Sequence, residues 1–310
     1  MESRTKSRLY ALMPWVVTLV FMVSVTLYGV LYKPDFNPFK TQPIKAELVS
    51  SMRLHLHEAS EAEKNAVMAI TDEASEAYAG QAHQAADAVE TNRKEIESLI
   101  KEGESQRETE LLTEFNACWV QYQKLDDTIL NLAVQNTNLK AQQISTTQCA
   151  QEIRNIETSL NRIIQQDNNN KQCNEAVIPA YDALTASLKI FALHKPHIEA
   201  ADDPQMDKIE QDIKSYNEAA KNAFNTLNGI ATLGDNPDLK NAKTAYDKFM
   251  NLTNEVIRLS RLNTNIKSAE LSLGKKRLVS AQCQEILATL QKTVQIQGNY
   301  SLPRLKKGAL

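Results

Sequence analysis

Turn-forming residues are scarce in this chain. Its 310 residues hold only 8 Gly and 9 Pro, whereas the two types together average about 12% of residues. Hairpins between short strands need residues that accept positive φ or end a ladder. Sandwiches, barrels and a doubly wound sheet are therefore excluded. Between Pro43 and Pro179 only Gly80 and Gly103 interrupt the chain, which reads as very long helices joined by few turns. Strong charge of one sign is also missing: net charge is −3 with 24% charged residues, which gives no electrostatic reason for a nucleic-acid partner.

Cofactor chemistry leaves no trace either. No two of the four cysteines have the spacing of covalent haem attachment, and no His has a Glu three residues before it as a di-iron bundle needs. His55 and His57 point in different directions on a helix. His194 and His197 have i, i+3 spacing, but Pro196 lies between them, and the trio reads as a solvated helix break. Without a Gly-rich phosphate loop or a nucleophile beside a base, we expect no cofactor, no metal and no enzyme activity.

One long apolar run is present. Leu9 to Tyr32 carries no charge and lies between Arg8 and Lys33. At 1.5 Å per residue it spans roughly 36 Å, enough for a hydrocarbon core of about 30 Å. Tyr10, Trp15, Tyr28 and Tyr32 sit toward its ends, where interfacial aromatics belong. The run is too long for a signal-peptide core, and bulky residues follow it, so it reads as a retained single-pass anchor in the lipid bilayer. Arg4, Lys6 and Arg8 precede it, and Lys33, Lys40 and Lys45 follow it. The tighter N-terminal cluster favours an inside N-terminus, with the bulk of the chain outside the cytoplasmic membrane.

The remaining pattern is helical. We expect a tail at 1–8, the transmembrane helix at 9–32, a linker at 33–43, a helical hairpin at 44–167, a second at 171–298 and a tail at 299–310. Four rods follow, about 44–101, 106–166, 172–228 with a break at Pro196–Pro204, and 237–297. The fold class is an all-α antiparallel bundle built from two duplicated hairpins. At a constant offset of 127, Trp119 falls on Tyr246, Tyr122 on Phe249, Ile129 on Val256, and Asn136-Thr137-Asn138 on Asn263-Thr264-Asn265. After Ser272 the second copy carries about seven extra residues, so that Cys149 aligns with Cys283.

Tyr122, Leu125, Ile129, Leu132, Asn136 and Leu139 step by 3, 4, 3, 4, 3, and the second copy repeats those steps. This is knobs-into-holes spacing. Asn136 and Asn263 occupy seam positions, where a buried Asn either fixes register by pairing with a polar group or anchors a ligand between helices. The first rod is rich in alanine, which permits close approach. For the cysteines, equal heights on up-and-down rods make Cys149–Cys283 the best disulfide pairing, with four reduced thiols as the alternative.

Phe115-x-x-x-Trp119-x-x-Tyr122, followed by Ile129, Leu132-Ala133 and Ala141, resembles the last helix of the four-helix-bundle periplasmic sensor domain of bacterial chemoreceptors and sensor kinases. Ile209 to Phe224 resembles helices of its larger two-module version. The resemblance implies a membrane-anchored bundle that binds a small ligand or a partner receptor. No ligand residue transfers from it. The Ser301–Leu310 end brings no cytoplasmic output module, so signalling is expected to run through another membrane protein or through self-association. The competing reading is a structural accessory subunit of a membrane complex.

Overall fold

The computed structural model describes residues 38–103, 105–169 and 175–300. The expected anchor at 9–32, Cys173 and the residues beyond 300 lie outside them. Among the described residues every regular element is helical, and no helix is long and apolar enough to cross a membrane.

The helices are α1 (Pro38–Met68), α2 (Asp72–Gly103), α3 (Gln106–Ala133), α4 (Thr137–Ile144), α5 (Ala150–Asn169), α6 (Val177–Glu199), α7 (Asp203–Gly229), α8 (Pro237–Leu262), α9 (Thr264–Leu271) and α10 (Arg277–Tyr300). One π-helical turn, Ser145–Cys149, joins α4 to α5, and another, Ser272–Lys276, joins α9 to α10. The expected linker at 33–43 is helical from Pro38 onward. Pro38 takes the first helical position, where its fixed φ is preorganised and no N–H is needed.

Two expected rods are each a pair of helices. The rod at 44–101 is interrupted between Met68 and Asp72 without Gly or Pro. Thr71 Oγ1 accepts the Ala74 N–H at 3.2 Å, Asp72 and Glu73 fill the first turn of α2, and Ser75 Oγ donates to the Ala66 carbonyl at 3.1 Å. These side chains satisfy helix-end groups without any glycine. The rod at 172–228 divides at Ala200–Asp202, just past Pro196. Asp202 Oδ1 accepts the Gln205 N–H at 2.9 Å, and Pro204 sits in the first turn of α7.

The chain divides into two compact units. Among the described residues the first comprises those up to His57, Ala86–Trp119 and those from Ala281. Its core holds Met52, Leu56, Ile96, Phe115, Leu287 and Leu290, all buried. Lys45 of α1 pairs with Glu108 of α3 at 2.7 Å, both side chains almost wholly buried. Arg53 of α1 donates to Gln291 of α10. A disulfide joins Cys118 of α3 to Cys283 of α10, while Cys149 is a free, buried thiol.

The expected Cys149–Cys283 bond is therefore wrong, for a geometric reason. Equal heights hold only on four full-length rods, and two of those rods fold back midway. Cys283 belongs to the first unit with Cys118, and Cys149 to the second.

The second unit comprises Glu58–Ala85 and Val120–Ser280. Here α5 packs on α6 and α8, and α6 packs on α7 and α8. Their apolar faces merge in a core that includes Ile156, Leu160, Ile190, Phe224, Phe249 and Val256. A smaller cluster is built from alanines, with Ala62, Ala66, Ala79 and Ala82 against Leu130 and Ala133. The alanine-rich stretch does make a close approach.

Candidate functional site: a polar junction and its flanking π turns

Asn136 and Asn263 stand where α4 and α9 begin, and both are left-handed, with φ of 50° and 55°. They do not continue a seam; they break it. Asn tolerates this region better than other side-chain-bearing residues. The first N–H groups of α4 and α9 lack intrahelical partners, and the two helices cap each other. Thr137 N–H donates to Thr264 Oγ1 at 3.3 Å, and Thr264 N–H donates to Thr137 Oγ1 at 3.2 Å. Asn138 N–H donates to Asn265 Oδ1 at 3.1 Å, and Asn265 N–H returns the bond to Asn138 Oδ1 at 3.3 Å. Each reciprocal pair is 127 residues apart, the offset at which the sequence repeats.

Both Asn side chains serve the same lock. Asn136 Nδ2 donates to Asp72 Oδ1 at 2.9 Å, and its Oδ1 accepts from Asn265 Nδ2 at 3.0 Å. Asn263 Nδ2 donates to the Ala200 carbonyl, and its Oδ1 accepts from Asn138 Nδ2 at 2.8 Å. Of the two roles weighed for these residues, pairing with polar groups is the one the hydrogen bonds display. Lys140, with some help from Asn136, lowers the Asp72 carboxyl below its ordinary value.

The π turns follow the junction at the same offset, without an inserted segment. Cys149 therefore corresponds to Lys276 and not to Cys283. In one site, His194 of α6 lies between Ser145 and Thr253, at 3.0 Å from Nδ1 and 3.1 Å from Nε2. Thr253 Oγ1 donates to the Phe249 carbonyl, so Nε2 carries the proton and Nδ1 accepts from Ser145. Burial pushes this imidazole down to about 4.

In the corresponding site, Lys276 pairs with Asp126 of α3 and lies 3.9 Å from Glu63 of α1, with all three side chains at most 2% exposed. Its Nζ sits 3.7 Å from the centre of the Tyr122 ring. Burial raises both carboxyls and lowers the ammonium.

Histidines 194 and 197 are thus buried and separately bonded, correcting the expectation of a solvated break. Pro196 lies inside α6. His197 bridges Ser260 of α8 and Glu210 of α7, and Glu210 also accepts from Arg261. The Ser–His–Glu order resembles a nucleophile relay, but Ser260 and His197 are fully buried. The bonds tie three helices together and present no nucleophile to solvent.

Sequence reading missed Glu63, Asp126 and Lys276. Keeping the offset of 127 through the π turns would have placed Lys276 opposite a buried Cys149 and so marked it. Open surface remains in two grooves of this unit. One, about 700 Å³, is lined by Ile70, Asp72, Lys140 and Gln143. Another, about 350 Å³, is lined by Glu152, Arg162, Asn241 and Lys248.

Among proteins of curated function none matches this sequence. A solved structure of the TorS sensor domain–TorT complex in the presence of TMAO is similar at 12% identity. The match covers 82% of this chain and 99% of that one, with a TM-score of 0.39. Residues 41–175 match the family described as four helix bundle sensory module for signal transduction. That match contains the segment around Trp119 and Tyr122 that resembles the same family.

Proposed function

We propose that the protein is a membrane-anchored sensory bundle, held in the bilayer by residues 9–32, with its helical part outside the cytoplasmic membrane. It binds a small ligand or a partner receptor there and passes the signal to another membrane protein or through self-association. The observation that carries this reading is the sensory-module match over residues 41–175. The Cys118–Cys283 disulfide supports an oxidising, extracytoplasmic setting.

The two halves are, on this reading, copies of one unit. Besides the reciprocal junction, Trp119 Nε1 donates to Glu90 and Tyr246 Oη donates to Asn217, each across a separation of 29 residues. Trp119 and Tyr246 are themselves 127 apart, as are Glu90 and Asn217.

Because Asn136 and Asn263 are consumed by interhelical bonds, ligand contact falls to the open grooves. The same fact favours the second reading, an accessory subunit that clamps a membrane complex without a ligand of its own. Thermal unfolding of the full chain against a panel of small polar metabolites separates the two. Binding to the folded state alone adds RT ln(1 + [L]/Kd) to its stability. A raised midpoint favours sensing; no shift, with stable co-purification from native membranes, favours the clamp.

A further inference from the structure

The Lys276 site is unbalanced in a way its counterpart is not. Glu63 from α1, Asp126 from α3 and Lys276 from the π turn meet with almost no exposure. Two carboxylates and one ammonium would leave a net negative charge in a dry interior. Glu63 Oε1 and Asp126 Oδ2 are buried without a hydrogen-bond partner among the described residues. Each uncompensated buried charge carries a heavy desolvation penalty.

The surrounding charges do not remove the imbalance. Lys64 on α1 and His83 on α2 act on the site as weaker influences, and Asp127 on α3 adds to its negative side. Tyr122 is held neutral by burial. One additional proton on a carboxyl neutralises the site. Glu63 is the group to hold it, because Lys276 touches Asp126 more closely.

We propose that Glu63, Asp126 and Lys276 form a buried proton-binding site that fastens the π turn at the head of α10 to α1 and α3, and that loosens this turn when the proton leaves for solvent. A π turn holds one surplus residue relative to an α-helical path, and such turns recur at functional positions. The site therefore couples proton occupancy to the hold on that turn. This goes beyond the sensory reading and does not depend on it, since an ordinary structural bundle could carry the same site.

The sign follows from the raised Glu63 carboxyl. A carboxyl that binds its proton more tightly when folded contributes stability that is complete below its unfolded value, about 4.3. That contribution is lost as pH rises through the native value.

The test is a proton count on the full chain in detergent. Denaturation at pH 7.5 in weak buffer, followed by a pH-sensitive dye, should release about one proton per chain. Release of none, or net uptake, would overturn the proposal. In Glu63→Gln the release should vanish, and the midpoint should no longer fall between pH 6 and 8, where the wild-type midpoint falls. Parallel pH profiles for the two proteins would also overturn it. If Glu63→Gln does not fold, the wild-type proton count decides alone.

Discussion

The sites beside the two π turns differ in chemistry more than in position. Ser145 and Ser272 open the two turns, Cys149 and Lys276 close them, and Thr253 corresponds to Asp126 at the same offset of 127. Glu63 and His194 lie equally far before Asp72 and Asp203, the first residues of α2 and α7. One site holds a neutral, doubly bonded histidine, and its π turn closes on a buried thiol pushed up to about 12. The other holds two carboxyls and an ammonium. Helix order and polar junction serve both sites equally, so backbone geometry did not dictate either chemistry. The bundle tolerates a satisfied polar group or a charged cluster at one address, and the charged version leaves partners unmet.

The comparison can be broken by mutation. Lys276→Met should be the most damaging change, at about 3–5 kcal/mol, because it strands buried carboxyls without a counterion. Cys149→Ala at the matching position should cost only about 1 kcal/mol. Denaturant titration of both variants checks the contrast.

Asn136→Leu should lose about 3 kcal/mol. It places a branched side chain in left-handed backbone and leaves Asp72 and Asn265 short of a bond. Asn136→Gly, which keeps the backbone unstrained, should lose less, and Asn263 should behave alike.

Acid should act on the histidine site. His194 is lowered to about 4 by burial, so its contribution is present above the unfolded value near 6.5 and is lost as pH falls toward 4. The loss should reach about 3 kcal/mol, and His194→Gln should abolish that acid sensitivity. Melting curves at several pH values measure it.

Smallest of all, Thr137→Val and Thr264→Val should each cost about 1 kcal/mol. Together they should cost less than the sum, since each hydroxyl serves the other's helix.

Much of this was legible in the sequence, and the failures have physical causes. The expected rod boundaries near 101–106 and 228–237 coincide with real helix ends, and the offset of 127 anticipated the residues that cap one another. The turn after Met68 was hidden because Thr71, Asp72 and Ser75 build it from side-chain bonds, without residues of special φ. Asn136 and Asn263 were found, and pairing with polar groups is one of the two roles weighed for them, but the seam they were placed in breaks there: 3, 4 spacing continues across a helix break as readily as through a helix. The Cys118–Cys283 bond escaped because pairing depends on where rods fold back, and the missed turns decide that. The charged cluster escaped because its members come from three distant segments, each unremarkable alone.

The central claim, one frame carrying two chemistries, is tested most directly by moving one site onto the other. The triple variant Glu63→His, Asp126→Thr, Lys276→Cys installs the histidine site's residues at the matching addresses. The account predicts a cooperatively folded protein at pH 7.5, at least as stable as the wild type, since a buried ion cluster replaced by neutral, well-packed groups is often neutral or stabilising. A triple variant less stable than Lys276→Met alone would contradict it.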